Sequence, residues 1–488
     1  MKPHSNSLTR LVLFTLLWLA GGTAAAQDYQ PNWESLDSRS TPQWWTDARF
    51  GIFIHWGVYA VPSFSKVGEY SEWYERYIVD GREPYREYHD KRFGTDFAYA
   101  DFVPMFKADL FDPDQWADIF RRSGAKYIVL TSKHHDGFTL WKSEEANRSW
   151  GRPWNAVDVG PQRDLLGDLS DAVRRAGLKM GIYYSIYEWF NPLYNTDRDV
   201  FVDKHYIPQF KDVVTNYKPS VIFSDGEWDA EAEAWKSQEV LAWLYNESPV
   251  RDEVVVNDRW GRGTRHKHGG YYTTEYTSGM ADAGHPWEES RGMAHSYGYS
   301  RTEDIDEYNT PQQLILMLVD IVSRGGNFLL DIGPTADGRI PVIMQERLLE
   351  IGRWLDVNGA AIYGSMPWKH SVQWSKGQVP EEKRGDYNVQ YDILKLTVDP
   401  DPGQAVKEVF FTRNGTDLFA ITPRWPGSKL VLRDVKVKAG ATVSLLGQEG
   451  NLKWKQDGAN LVITVPSVNP DTMQGMYAHV FRISGIRD

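Results

Sequence analysis

The chain has 488 residues, 41% hydrophobic and 25% charged, a composition typical of a globular protein with one large domain and a smaller one. Its formal net charge of −12 argues against a nucleic-acid partner, because neutralising phosphates requires clustered Lys and Arg. The sequence contains no cysteine, which excludes disulfides and thiolate chemistry.

The N-terminus has the pattern of a secretory signal. Lys2 and Arg10 precede an apolar run over residues 11–20 and a small-residue stretch over residues 21–26. The run is too short to span a membrane comfortably, and no later stretch approaches about 18 apolar residues. We therefore expect a periplasmic or secreted bacterial protein without a membrane span, cleaved near Ala26.

Strand-like and helix-like segments alternate through most of the chain. A buried apolar run is repeatedly followed by polar residues, and a helical pattern closed by glycine precedes the next run, as in Asp112 to Gly124. We predict eight strands, within residues 50–55, 125–138, 178–185, 221–225, 253–261, 268–276, 286–300 and 325–334. This alternation favours a (β/α)8-like TIM barrel over residues 27–368. Short alternating runs with turn signals then predict an all-β sandwich over residues 369–488.

Polar and aromatic side chains follow the predicted strands, where parallel α/β barrels hold their catalytic residues. They are His55, Glu72, Trp73, His134, His135, Tyr184, Asp225, Trp228, Arg259 and Glu275. Two carboxylates from different strands can act as nucleophile and acid/base in glycoside hydrolysis, and retention requires about 5 to 5.5 Å between them. The 21 Trp residues include potential platforms for a sugar, because aromatic rings stack on its C–H faces.

Other chemistries have weaker support. The pairs His134-His135 and His266 with His268 invite a metal site, but neighbouring His on a strand should point to opposite faces, and no His-x-x-x-His spacing is present. A Gly-x-Ser-x-Gly elbow, a phosphate loop and a dinucleotide fingerprint are also absent from the sequence. We expect neither a metal nor an organic cofactor.

Several stretches between residues 44 and 366 carry a family resemblance. They are FGIFIHWGVYAVPSF, SEWY, SKHHDGFTLW, GIYYS, FSDGEWD, VVNDRWG, TTEY, GGNFLLDIGPTADGRIP and ERLLEIGRWLDVNGAAIYG. In these stretches the chain resembles the α-L-fucosidases of glycoside hydrolase family 29. The resemblance implies a retaining exo-hydrolase of fucosylated oligosaccharides or glycoconjugates, with a C-terminal β-sandwich and possible homo-oligomers.

The resemblance also implies roles for individual residues. Asp225 matches the nucleophile and Glu275 the acid/base. Glu288 is the runner-up for the acid/base and ranks second, because it is expected in an irregular connection whereas Glu275 ends a predicted strand. Glu227 is expected to be a supporting carboxylate, and Phe223 or Trp228 to meet the C5 methyl group. Residues matching substrate-binding positions are His55, Glu72, Trp73, His134, His135, Tyr184, Trp228 and Arg259. The alternative is a catalytically silent fucose-binding protein on the same scaffold.

Overall fold

A computed structural model describes residues 28–280, 284–381, 391–467 and 475–487. The predicted signal peptide, residues 1–26, lies outside these ranges. Within them, no helix combines the length and the apolar character that a membrane crossing requires.

Eight parallel strands form one curved sheet, as the sequence predicts. They are β1 (Phe50–Ile54), β2 (Tyr127–Lys133), β3 (Lys179–Ser185), β4 (Val221–Asp225), β5 (Val255–Val256), β6 (Tyr272–Glu275), β7 (Trp287–Gly292) and β8 (Asn327–Ile332). Their order is β5-β4-β3-β2-β1-β8-β7-β6, so β1 pairs with both β2 and β8. The arrangement is a TIM-like (β/α) fold, with every strand of the sheet running in the same direction.

The seam between β5 and β6 is joined without a regular ladder. The carbonyl of Val256 accepts hydrogen bonds from Gly270 N (3.1 Å) and Tyr271 N (3.2 Å). One layer higher, the buried Asp258 carboxylate accepts from the backbone N–H and the hydroxyl of Thr273. The side chain of Asp258 therefore replaces part of the strand pairing at this point.

Helices surround the sheet. The α-helices are α1 (Trp33–Asp37), α2 (Gln43–Ala48), α3 (Tyr74–Val79), α4 (Tyr85–Arg92), α5 (Pro113–Arg122), α6 (Glu144–Trp150), α7 (Leu165–Arg175), α8 (Pro192–Thr196), α9 (Arg198–Phe201), α10 (Ile207–Tyr217), α11 (Ser237–Asn246), α12 (Pro311–Ser323) and α13 (Val342–Asn358). A π-helical segment, Val202–Tyr206, joins α9 to α10. Helix α5 begins where the sequence predicts, because the Asp112 carboxylate accepts from Gln115 N and Pro113 occupies the first turn.

Side chains, largely aromatic, fill the interior of the sheet. Phe53, Tyr127, Tyr183, Phe223 and Tyr297 belong to one buried cluster on the concave side. A barrel of this strand number is wide enough to be filled by side chains and leaves no channel.

The C-terminal part is all-β, also as predicted. Its strands are β9 (Met366–Trp374), β10 (Lys407–Asn414), β11 (Asp417–Thr422), β12 (Lys429–Leu432), β13 (Lys436–Val437), β14 (Val443–Leu445), β15 (Trp454–Asp457), β16 (Asn460–Thr464), β17 (His479–Ile483) and β18 (Ile486–Arg487). They form antiparallel sheets of order β14-β17-β11-β10-β9 and β12-β16-β15, with β13 paired to β18. The buried pair between Lys407 Nζ and Asp320 Oδ1 (2.9 Å) ties this part to helix α12 of the barrel.

Candidate active site

A cavity of about 270 Å³ lies at the carboxyl ends of the barrel strands. Its volume suits one small ligand rather than a chain of sugars. It is lined by His55, Glu72, Trp73, His134, His135, Asp225, Trp228, Arg259 and Glu275, which the sequence singles out, and by Phe53, Tyr70, Tyr183, Phe223, Arg265, Ser290 and Tyr297. The structure thus brings most of the predicted site residues to one place.

Arg259 joins the two carboxylates at the centre of the cavity. Its Nη1 donates to Asp225 Oδ1 (2.8 Å) and its Nη2 to Glu275 Oε2 (3.1 Å). Its Nε donates to Thr273 Oγ1 (3.0 Å), which fixes the guanidinium across the seam between β5 and β6. Because one planar group contacts both, Asp225 and Glu275 must lie side by side.

Asp225 is held as an anion by several neighbours. Tyr183 donates its hydroxyl proton to Oδ2 (2.8 Å), and Nε2 of His135 lies 3.5 Å from the same oxygen. Burial acts to raise the pKa of Asp225, but the charges of Arg259, His135 and Arg265 outweigh it and hold the pKa below its ordinary value. A buried carboxylate that stays ionised is the state a nucleophile requires.

His134 and His135 both line the cavity, so the expectation that they point to opposite faces is wrong. Strand β2 ends at Lys133, and the two residues lie in the following turn, where Gly137 N donates to the His134 carbonyl (3.0 Å). Their ring centroids are 4.3 Å apart. Nδ1 of His135 lies 2.6 Å from Ser185 Oγ, and burial lowers the pKa of His135 to about 4.

Tyr184 does not reach the cavity, which corrects the prediction that it binds substrate. Its hydroxyl donates to Gln209 Oε1 (2.8 Å) in a buried polar cluster between the sheet and α10, with Lys133 nearby. Successive strand residues point to opposite faces, so it is the preceding residue, Tyr183, that enters the barrel. The sequence pattern indicates that one of the two tyrosines faces inward, but not which one.

The sequence predicts that Glu288 lies in an irregular connection, and this is wrong. Glu288 lies on strand β7. It is fully buried, its Oε2 accepts a short hydrogen bond from the Tyr127 hydroxyl, and it does not line the cavity. Burial raises its pKa to about 8. The carboxyl group of Glu288 therefore lies behind the lining of the cavity and not on its surface.

Two further carboxyl groups, those of Glu72 and Glu227, lie near Asp225 and Glu275. Glu72 lines the cavity, accepts from Gly298 N (2.8 Å), and has its pKa raised by burial to about 8. Glu227 accepts from Arg265 Nε (2.5 Å) and is not among the lining residues. Glu227 thus holds a cation beside Asp225, a contact that its loop position does not reveal in the sequence.

The aromatic residues form the wall of the cavity mouth. Trp228 is 37% exposed, and its ring lies nearly parallel to that of Trp73 with centroids 6.4 Å apart. Phe223 lies deeper, under the guanidinium of Arg259, which is 4.8 Å from its ring centroid. The mouth can therefore meet an apolar face of a ligand while the floor supplies charge.

A metal site is not built into the described ranges. Within them, no group of three or more His, Asp or Glu side chains is arranged to hold an ion. The chemistry open to this arrangement is that of paired carboxylates with histidines, an arginine and tyrosines around them.

Comparison with known proteins places this geometry in context. The α-L-fucosidase family model matches residues 16–360, and the model of the α-L-fucosidase C-terminal domain matches residues 403–484. The α-L-fucosidase of Dictyostelium discoideum is 46% identical over 490 residues, covering 98% of this chain and 99% of the relative. Tissue α-L-fucosidase of Homo sapiens is 39% identical over 502 residues, covering 100% of this chain and 98% of the relative.

A solved structure of an α-fucosidase is similar to this chain in fold as well as in sequence. The crystal structure of Thermotoga maritima α-fucosidase in complex with fucose superposes with a TM-score of 0.75 at 35% sequence identity. The match covers 93% of this chain and 100% of the other. The similarity therefore spans the barrel and the C-terminal β-structure together.

Proposed function

The chain belongs to the α-L-fucosidase family and is a glycoside hydrolase of that specificity, and we propose that it removes terminal α-L-fucose with retention, through a covalent intermediate on Asp225. The observation that carries the proposal is the contact of one guanidinium, Arg259, with both Asp225 and Glu275. Retaining glycosidases need two carboxyl groups that are close to each other.

In the first step, a carboxylate oxygen of Asp225 attacks the anomeric carbon while Glu275 gives a proton to the departing glycosidic oxygen. The C–O bond to the leaving group breaks as the bond to Asp225 forms, so a fucosyl ester results and the leaving sugar departs as an alcohol. Hydrogen bonds from Arg259 and Tyr183 keep Asp225 ionised and oriented before the attack.

In the second step, Glu275 acts as a base. It takes a proton from a water molecule, which attacks the anomeric carbon and displaces Asp225 as a carboxylate. Two inversions at the same carbon return the sugar in its original configuration. Neither step calls for a metal or an organic cofactor, and we propose that none takes part.

The remaining lining residues would recognise the sugar. We propose that His55, Glu72, His134 and His135 exchange hydrogen bonds with its hydroxyl groups, and that Trp73 and Trp228 cover an apolar face. Because burial raises the pKa of Glu72 to about 8, that carboxyl group is protonated near neutral pH and can donate as well as accept. Tyr184, by contrast, has no place in this proposal.

The stereochemical course tests the mechanism. With 4-nitrophenyl α-L-fucoside as substrate, proton NMR at early times should show α-L-fucose as the first-formed anomer. A slow fluorinated fucosyl donor should leave a fucosyl adduct on the peptide that contains Asp225. Appearance of the β-anomer first, or an adduct at another carboxylate, would overturn the assignment. The catalytically silent alternative is not favoured, because both Asp225 and Glu275 line the cavity.

Export and domain organisation complete the proposal. We propose that residues 1–26 direct a bacterial periplasmic or secreted location and are removed near Ala26. We further propose residues 27–368 as the catalytic domain, residues 369–488 as the β-sandwich domain, and self-association of the mature chain. N-terminal sequencing of the exported protein and sedimentation velocity test these points, and a product that begins at Met1 would contradict the first.

A further inference from the structure

His55 is held by a second buried side chain, that of Asp331. Its Nδ1 lies 2.7 Å from Oδ1 of Asp331 on strand β8. His55 is 3% exposed and Asp331 1% exposed. His55 lines the cavity, whereas Asp331 does not, so Asp331 contacts the imidazole from the side away from a ligand.

The surroundings of Asp331 favour its neutral form. Among the described residues, His55 is the one basic side chain within ion-pair distance of Asp331, and Oδ2 of Asp331 is buried without a hydrogen-bond partner. An ionised carboxylate in that position would be costly. In agreement, burial and the nearby Glu72 raise the pKa of Asp331 well above its ordinary value, and burial lowers the pKa of His55 to about 3.

The position of the acid proton then follows from hydrogen bonding. A proton on Oδ2 would be a buried donor without an acceptor, which is rarer in proteins than a carbonyl-type oxygen without a donor. On Oδ1 it donates to Nδ1 of His55 across 2.7 Å. Since the neutral imidazole carries one proton, that proton must be on Nε2.

We infer that Asp331 is a positioning residue, which donates to Nδ1 of His55 and so fixes the tautomer that presents Nε2–H to the sugar. The inference rests on the proposed function of the cavity. A fixed donor pairs with a lone pair of a sugar hydroxyl, whereas the other tautomer would offer an acceptor there and demand a proton from the ligand. Asp331 thus sets the polarity of one contact without touching the substrate.

Ring-nitrogen NMR of the full-length protein tests the tautomer directly. Long-range ¹⁵N–¹H correlation spectra, with His55 assigned by loss of its signals in His55→Gln, should show a protonated Nε2 and an unprotonated Nδ1. A protonated Nδ1 would overturn the inference. This readout does not depend on turnover, so it stands or fails separately from the proposed mechanism.

A matched pair of variants tests the consequence. Asp331→Leu removes the donor at similar size and should raise KM for 4-nitrophenyl α-L-fucoside about tenfold, more than it changes kcat, with mixed His55 tautomers. Asp331→Asn keeps an N–H donor and should restore most of the affinity together with the single tautomer. If Asp331→Leu keeps both the wild-type KM and one tautomer, the inference is wrong. If it does not fold, the wild-type spectrum still decides.

Discussion

Glu275 and Glu288 lie on neighbouring parallel strands, one layer apart. Because Glu275 pairs with Ser290 and Thr273 with Glu288, the two carboxyl groups differ in depth by two residues, about 6 to 7 Å. The upper one contacts the guanidinium of Arg259 and lines the cavity. The lower one is sealed against Tyr127 and kept protonated by burial. Depth along the barrel axis therefore separates a carboxyl group that lines the cavity from one that is buried beneath it.

Replacing Asp225, the proposed nucleophile, should have the greatest effect on turnover. Asp225→Gly should lower kcat/KM for the aryl fucoside by at least about 10⁴-fold, because it removes the carboxylate that we propose attacks the anomeric carbon. The matched change in the lower layer, Glu288→Gln, should stay within about threefold of wild type. Initial-rate kinetics on both variants would test this, and similar losses of kcat/KM would contradict the different roles proposed for Asp225 and Glu288.

Replacing Glu275, the proposed acid/base, should have the next largest effect on the rate. Glu275→Ala should slow hydrolysis about 10² to 10⁴-fold, most strongly for substrates with poor leaving groups, since these need the proton most. Azide should partly restore the rate with an activated substrate and yield fucosyl azide. Rescue of Glu288→Ala instead, measured under the same conditions, would transfer the role to the lower layer.

Tyr183 and Tyr184 are adjacent on strand β3 but lie on opposite faces of the sheet, so only Tyr183 should affect turnover. Tyr183→Phe removes the hydroxyl that donates to Asp225 and should lower kcat about tenfold. Tyr184→Phe removes a hydroxyl that donates to Gln209 outside the cavity, so it should lower the melting temperature while kcat stays near that of wild type. Equal losses of kcat in the two variants would contradict the assignment of the inward-facing residue.

The last prediction concerns the dependence of stability, not of turnover, on pH. Burial raises the pKa of Glu288 from 4.5 to about 8, so between these values the folded chain binds more protons than the unfolded chain. Its contribution to stability is fully present below pH 4.5 and is lost as pH rises to about 8, at up to about 1.4 kcal/mol per pH unit. Urea unfolding of Glu288→Gln at pH 5, 6.5 and 8 should show a shallower decline than wild type. Parallel curves would show that Glu288 does not titrate in this window.

The regions that could be predicted from sequence are those with a strong period. Buried apolar runs followed by polar residues located all eight strands and the end of the barrel at which side chains gather. The pattern does not fix which alternate residues of a strand face the barrel interior, which explains the error at Tyr184. It also does not fix where a strand ends, which explains the error at His134 and His135. In β2 and β3 the pairing also shifts between Thr131 and Lys133, which no local pattern reports.

Two other residues of the site, Arg265 and Asp331, could not be identified from a sequence period. Arg265 belongs to the connection that crosses the seam between β5 and β6, and its place beside Asp225 depends on the pairing of distant segments. Asp331 was within a predicted strand, but its role depends on a neighbour 276 positions away along the chain. Contacts of this range depend on the closed sheet and not on its individual strands.

The double contact of Arg259 has a consequence for the timing of the proposed reaction. Two carboxyl groups share one positive charge in the resting cavity. Once Asp225 becomes an ester it carries no charge, and the guanidinium is left with Glu275 as its anionic partner, at the moment when Glu275 has given up its proton. When water has been added and Asp225 is released, the charge is shared again. In the proposed reaction, one buried arginine thereby links the two half-reactions, because it stabilises whichever carboxylate the current step has made anionic.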